Sequence, residues 1–213
     1  MNPLLNALLV VVLVLNLFAL GTSRLVTVIK IVSLQGVLLG LLPLLLEEEI
    51  GISVISTAAI GIALKGIVIP AMMLRAMRDV QIKREMEPLI GFLPSMLLGA
   101  LATGLALLFA KALPLADKHT TQLLVPAALA TIFVGFILLT TRAKAITQVM
   151  GYLVLENGIY IFGMLLIGVM PMVIELGASL DLFVAIFVIC IMVNHINQAF
   201  SSLDTRNLSE LKE

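Results

Sequence analysis

The segment QVMGYLVLENGIYIFGMLLIGVM, residues 148–170, decides the class of fold. It is long and apolar enough to cross a membrane, yet Glu156 and Asn157 stand side by side near its middle. Apolar runs of about 20 residues recur along the whole chain. With 61% hydrophobic residues, 12% charged residues and a mean hydropathy of +1.18, the composition lies far outside that of soluble domains. The sequence therefore predicts a polytopic membrane protein.

Charged and turn-rich positions divide the chain into seven predicted helices. Only α-helices and closed β-barrels satisfy the backbone hydrogen bonds in lipid, and the apolar runs lack the alternating pattern of barrel strands. We therefore predict an all-α, polytopic transmembrane helical bundle of about seven helices. The predicted helices cover residues 3–20, 25–46, 51–74, 89–110, 121–140, 146–170 and 178–200.

The basic residues predict an orientation for this bundle. Nine Lys and Arg residues fall in loops on one side, whereas the opposite loops hold two, Lys111 and Lys118. Because basic loops remain in the cytoplasm, we expect the N-terminus outside and the C-terminus inside. The first apolar run lacks the basic start of a signal peptide, so we expect it to stay as the first helix. The nine residues are Arg24, Arg75, Arg78, Lys83, Arg84, Arg142, Lys144, Arg206 and Lys212.

Three units can be distinguished along the chain. Residues 1–88 form a three-helix membrane unit with a basic cytoplasmic loop, residues 89–120 a linking helix with an outer loop, and residues 121–213 a second three-helix unit with a short cytoplasmic tail. In both three-helix units the middle helix carries a polar residue halfway along, Gln35 or Glu156. Two parallel repeats joined by a linking helix would produce this pattern. Apolar helices of similar length also resemble one another without any repeat.

A polar stripe runs along the sixth predicted helix. Gln148, Tyr152, Glu156 and Tyr160 follow one another at intervals of four residues, so they share one helix face. Glu156 lies about 12 residues, or roughly 18 Å, from the inner end of this helix, close to the bilayer midplane. A charge there costs at least ~2.5–3.5 kcal/mol, which favours a functional role. The alternative is a neutral glutamic acid whose hydrogen bond to another helix contributes about 0.6 kcal/mol.

Two further candidate relay residues lie in other predicted helices. Lys65 stands in the third helix, where Gly66 and Pro70 predict a local irregularity that makes room for water. Alternatively, its side chain extends towards the basic loop. His195 lies near the inner end of the last helix and would suit a proton carrier, because imidazole titrates near neutral pH. The alternative is an ordinary interfacial residue.

Several classes of site have no support in the sequence. There is no CxxC motif, no His pair with a carboxylate at metal-binding spacing and no phosphate-binding loop. We therefore expect no metal and no cofactor, and any enzyme chemistry would belong to another subunit. A net charge of zero argues against a nucleic-acid partner. The single cysteine, Cys190, cannot form an internal disulfide.

Motifs in the last third of the chain resemble a known family. LENG at residues 155–158, ELG followed by LD at residues 175–181, and HIN followed by F and SLD at residues 195–204 resemble the second half of the hydrogenase-4 component E family. That family is similar to the three-helix K-type subunit of respiratory complex I and to the C-type subunit of Mrp cation/proton antiporters. In these relatives a glutamate on the middle helix belongs to a chain of ionisable groups, and Glu156 matches its position. The second glutamate of the K-type subunit has no counterpart here, and His195 is the nearest ionisable group.

The resemblance implies a membrane-arm subunit of a complex I-related, group 4 hydrogenase-like assembly in a bacterial or archaeal plasma membrane. The subunit would be non-catalytic within an oxidoreductase complex and would help to translocate protons or other ions during electron transfer. Its partners would be the lipid bilayer and other membrane subunits, including antiporter-like ones. The alternatives are a subunit of a multi-protein cation/proton antiporter, a stand-alone transporter and a passive scaffold. The candidate relay residues are Glu156, His195, Lys65, Tyr152 and Gln148.

Overall fold

The computed structural model describes residues 3–46, 51–79, 89–113, 123–143 and 145–166, and every regular element within them is a helix. The predicted all-α membrane bundle is therefore confirmed. The last predicted helix, residues 178–200, and His195 within it lie outside the described residues. The elements are α1 (Pro3–Gly21), α2 (Leu25–Gly40), α3 (Leu42–Leu46), α4 (Ile52–Gly61), a π-helical segment (Ile62–Val68), α5 (Ile69–Asp79), α6 (Phe92–Ala112), α7 (Leu124–Thr141), α8 (Ala145–Gly163) and a 3₁₀ turn (Met164–Leu166).

Five stretches in the described part of the chain are long and apolar enough to cross a membrane, and they correspond to the first five predicted helices. α2 and α3 together make one stretch, and so do most of α4, the π-helical segment and the first part of α5. α8 is 19 residues long but is not among the five, because its polar residues lower its hydropathy. The five stretches are Pro3–Gly21, Leu25–Leu46, Val54–Arg75, Phe92–Ala112 and Leu124–Thr141.

Two apolar clusters fill the interior of the bundle. One, nearer the α1–α2 and α7–α8 connections, includes Leu20, Val28, Val134 and Val154. The other, towards the opposite ends of the same four helices, includes Leu9, Leu39, Ala128 and Ile161. Five of the buried polar residues lie between the two clusters in sequence on their helices: Asn16 on α1, Gln35 on α2, Thr131 on α7, and Glu156 and Asn157 on α8. They form a polar layer between the two apolar clusters.

Close packing of α7 against α8 holds this polar layer in place. A methyl group on Gly135 of α7 would lie 2.5 Å from Cα of Leu155 on α8, so only glycine allows the two backbones to approach this closely. Leu155 directly precedes Glu156. The contact therefore fixes the height of the carboxylate relative to α7.

Arg142, at the end of α7, ties three helix ends together. It is fully buried, and its guanidinium donates to the backbone carbonyl of Leu20 at 2.9 Å and to that of Ile90 at 3.4 Å. The same group lies 5.2 Å from the ring centroid of Phe92, the first residue of α6. Burial lowers the pKa of Arg142 from its ordinary value, yet a guanidinium remains charged near neutral pH. The charge of Arg142 predicts a loop residue, whereas its buried contacts make it an internal brace.

Candidate functional site

A buried ion pair joins the first and last parts of the described chain. Nζ of Lys65 lies 3.4 Å from Oε1 of Glu156, and the two side chains are only 8% and 5% exposed. Lys65 belongs to the π-helical segment and Glu156 to α8. Two of the predicted site residues, 91 positions apart in sequence, are thus brought into direct contact. The lysine side chain points into the bundle, towards the carboxylate.

The π-helical segment has a visible cause in the sequence. Pro70 has no N–H, so it cannot donate to the carbonyl of Gly66 four residues earlier, and its ring crowds that carbonyl. The hydroxyl of Ser33 on α2 donates to the Gly66 carbonyl instead. The irregularity predicted near Gly66 and Pro70 is therefore present as a π-helix, a distortion that often marks functional sites. It changes the direction of the side chains on either side of Lys65 relative to a regular helix.

A glycine on α2 allows this segment to approach. A methyl group on Gly36 would lie 2.6 Å from Cβ of Lys65 and 2.7 Å from its carbonyl carbon. Any larger residue at this position would push the π-helical segment away from α2. Gly36 therefore sets how deeply Lys65 enters the bundle.

An aromatic ring also contacts the ammonium group of Lys65. Nζ of Lys65 lies 4.6 Å from the ring centroid of Tyr160, within the range of a cation–π interaction. Glu156 and Tyr160 are one helical turn apart on α8, so both reach Lys65 from the same side. The Tyr160 hydroxyl is buried and has no hydrogen-bond partner among the residues that the structure describes.

A chain of uncharged hydrogen bonds begins beside the ion pair. Asn157 donates to Oε1 of Gln35 at 3.5 Å, Gln35 donates to Oδ1 of Asn16 at 2.8 Å, and Asn16 donates to Oγ1 of Thr131 at 2.8 Å. Thr131 in turn donates to the backbone carbonyl of Ala127 at 2.7 Å. All four side chains are buried, so the chain crosses the interior from α8 through α2 and α1 to α7. It satisfies polar groups that would otherwise be costly at this depth.

Asn16 and Thr131 were missed by the sequence analysis. Asn16 stands in an otherwise apolar helix segment, VVVLVLNLFAL, and an amide in such surroundings is a detectable signal for a buried hydrogen bond. Thr131 gives a weaker signal, because threonine hydroxyls commonly bond within their own helix. Gln35 was noted, but its contact with the neighbour of Glu156 requires the three-dimensional packing.

The other two relay candidates on α8 lie apart from the ion pair. Gln148 is exposed near the start of α8 and donates to the backbone carbonyl of Arg142 at 3.2 Å. It is two turns, or about 12 Å, from Glu156 along the helix axis. Tyr152 is half-buried between them. The polar stripe therefore runs from an exposed helix start to a buried centre.

The ion pair can take part in proton transfer. It offers a carboxylate that can take up a proton, an ammonium that can release one, and a contact that weakens when either group becomes neutral. The described residues contain no group of three or more His, Cys, Asp or Glu side chains that could hold a metal ion.

Comparison with known proteins shows one family to which the chain belongs. It is 30% identical over 188 residues to the uncharacterized protein Rv0085 of Mycobacterium tuberculosis, with 87% of this chain and 86% of the relative covered. The chain belongs to the family of that mycobacterial protein.

A more distant similarity has a functional name. The chain is 25% identical over 148 residues to hydrogenase-4 component E of Escherichia coli and to that of Shigella flexneri, covering 70% of this chain and 68% of each relative. The similarity extends beyond the last third of the chain, where the sequence motifs lie. These relatives are named as components of a hydrogenase. No protein-family model matches the chain, and no solved structure matches it significantly.

Proposed function

We propose that the chain is a membrane-arm subunit of a complex I-related, group 4 hydrogenase-like respiratory assembly, in which Lys65 and Glu156 take part in proton or ion translocation coupled to electron transfer. The observation that carries the proposal is the buried ion pair, 3.4 Å long, in the polar layer between two apolar clusters. Ionisable residues at this depth are costly and mark ion pathways.

The proposed mechanism uses the pair as one station of a lateral series of ionisable groups. While Glu156 is charged, the carboxylate and the Lys65 ammonium attract each other, and the pair passes no proton on. A proton that binds to Glu156 removes this attraction. A change in the charge of a neighbouring group can therefore drive the uptake or the release of a proton by Glu156. The neighbouring stations would be supplied by antiporter-like subunits, and His195 would be a station within this chain.

The proposal includes the location and the orientation. We place the chain in a bacterial or archaeal plasma membrane with the N-terminus outside and the C-terminus in the cytoplasm, supported by the excess of Lys and Arg in and next to the loops predicted for the cytoplasmic side. Gln148, near the exposed start of α8, would then lie on the cytoplasmic side. Gln148 and Tyr152 would hold waters that connect Glu156 to that side.

The test compares two substitutions of one residue. Glu156→Gln keeps the shape of the side chain but cannot take up a proton, so coupled ion translocation by the reconstituted complex should fall several-fold. Glu156→Asp keeps the carboxylate and should retain part of the activity. As a matched control, Asn157→Ser changes the adjacent buried polar side chain without touching a charge, and translocation should remain close to the original. Full translocation by an assembled Glu156→Gln complex would contradict the proposal.

A passive scaffold is the second candidate, because one observation favours it. The hydrogen-bond chain through Asn16, Gln35 and Asn157 is uncharged and buried, as expected of groups that fix helix positions. In complexes that have assembled, a scaffold subunit would leave ion translocation per electron unchanged with Glu156→Gln. The same pair of variants therefore separates the two candidates.

A further inference from the structure

The Lys65 ammonium contacts groups of different chemical kinds, a carboxylate and an aromatic ring. Lys65 Nζ lies 3.4 Å from Oε1 of Glu156 and 4.6 Å from the ring centroid of Tyr160. The carboxylate loses its charge when it takes up a proton. The electrostatic attraction of the ring, which comes from its quadrupole, is present whether or not that proton is bound.

We propose that the Tyr160 ring is a positioning partner that holds the Lys65 ammonium in place while Glu156 takes up and releases a proton. This inference rests on the proposed relay function of Glu156 and assigns a role to a residue outside the predicted relay set. Tyr160 itself exchanges no proton in this scheme.

The physical need for such a partner follows from burial. Lys65 is enclosed between α2 and α8, where water can replace little of the attraction that is lost when Glu156 becomes neutral. With that attraction lost, the ammonium is held less firmly and transfers its own proton more readily, so the pair loses its defined starting state. The Tyr160 ring, which already contacts the ammonium, opposes both its movement and the loss of its proton without any rearrangement.

The geometry points to the ring and not to the hydroxyl of Tyr160. The hydroxyl is buried with no hydrogen-bond partner in the described part of the chain, whereas the ring makes the contact with the lysine. A phenylalanine would therefore supply the same attraction. A leucine would fill much of the same volume without a quadrupole.

The first experiment compares Tyr160→Phe with Tyr160→Leu in the assembled complex reconstituted in proteoliposomes. Coupled ion translocation by the Phe variant should stay within about twofold of the original, and that of the Leu variant should fall by about thirtyfold, the factor that corresponds to a desolvated cation–π contact. Equal activity of the two variants, whether both are high or both are low, would overturn the proposal.

A second measurement separates the electrostatic contact from packing. The Phe and Leu variants are also made in a background without the two charges, Lys65→Met with Glu156→Gln, and the melting temperatures of the assembled complexes are compared. The Phe variant should melt higher than the Leu variant by a larger margin when the charges are present. Equal margins in the two backgrounds would show that Tyr160 only fills space, and would overturn the proposal.

The outcomes distinguish this inference from the function on which it rests. If Glu156→Gln leaves translocation unchanged, the relay function itself is wrong. If Glu156→Gln lowers translocation while Tyr160→Leu does not, the relay stands and the role of Tyr160 is wrong.

Discussion

The ion pair predicts an unusual pattern of stability among three variants. Glu156→Gln and Lys65→Met each remove one charge and leave the other buried, whereas the double variant removes both and keeps the side-chain volumes similar. Breaking one side of a buried pair typically costs 3–5 kcal/mol, but replacing both partners by uncharged groups is often neutral. The double variant should therefore be more stable than either single variant.

The magnitude follows from the geometry. Two unit charges 3.4 Å apart attract each other by about 5 kcal/mol at an effective dielectric constant of about 20. The group left behind can reduce this cost by changing its protonation state, so we expect a loss of about 3–5 kcal/mol for each single variant. At roughly 2–4 °C per kcal/mol for a chain of this size, the melting temperature should fall by on the order of 10 °C.

The assay is the thermal melting of the assembled complex in mild detergent, with assembly measured by size-exclusion chromatography. The double variant should recover most of the loss of the single variants. Losses that simply add in the double variant would show that the two charges do not interact, and the site described above would then be wrong.

Three further predictions concern the surroundings of the pair and the topology. Asn16→Leu removes the acceptor that lies 2.8 Å from the Gln35 amide, which keeps only a 3.5 Å contact with the Val12 carbonyl. The change should cost about 1–3 kcal/mol, seen as a lower melting temperature with ion translocation per electron unchanged; an unchanged melting temperature would contradict the hydrogen-bond chain. Arg142→Met frees two helix-end carbonyls and should lower assembly, and Arg142→Lys should restore only part of it, because an ammonium lacks the fork of donors; full restoration by Lys would contradict the brace. A cysteine at residue 80, with Cys190 replaced by Ser, should react with a membrane-impermeant thiol reagent only from the cytoplasmic side, and labelling of intact cells would reverse the orientation.

Much of the membrane architecture could be predicted from the sequence. Apolar runs of the required length give helix positions directly, because lipid forces the backbone to satisfy its own hydrogen bonds. The five confirmed stretches therefore begin and end within a few residues of the predicted ones. The sequence also predicts the lower hydropathy of α8, because Glu156 and Asn157 lie in its second half.

The partners within the bundle could not be predicted in the same way. Lys65 and Glu156 were both recognised as unusual, but the sequence does not show that Pro70 and Gly36 bring them together through a π-helix against α2. Side-chain pairing depends on how each helix is rotated about its axis, and the apolar residues surround these helices too evenly to fix that rotation. The role of Arg142 was missed for the same reason: its charge predicts a loop residue, whereas its contacts depend on where α1 and α6 end.

The most direct test of the central claim is whether Glu156 changes its protonation state during turnover. Infrared difference spectroscopy of the assembled complex, with and without ¹³C-labelled glutamate in this chain, detects the carbonyl band of a protonated carboxylic acid. The relay predicts a band that changes when electron transfer is started, shifts with the ¹³C label and is lost in Glu156→Gln. A complex that translocates ions at full rate with no such change would show that Glu156 stays in one state, and that the buried pair only holds the helices together.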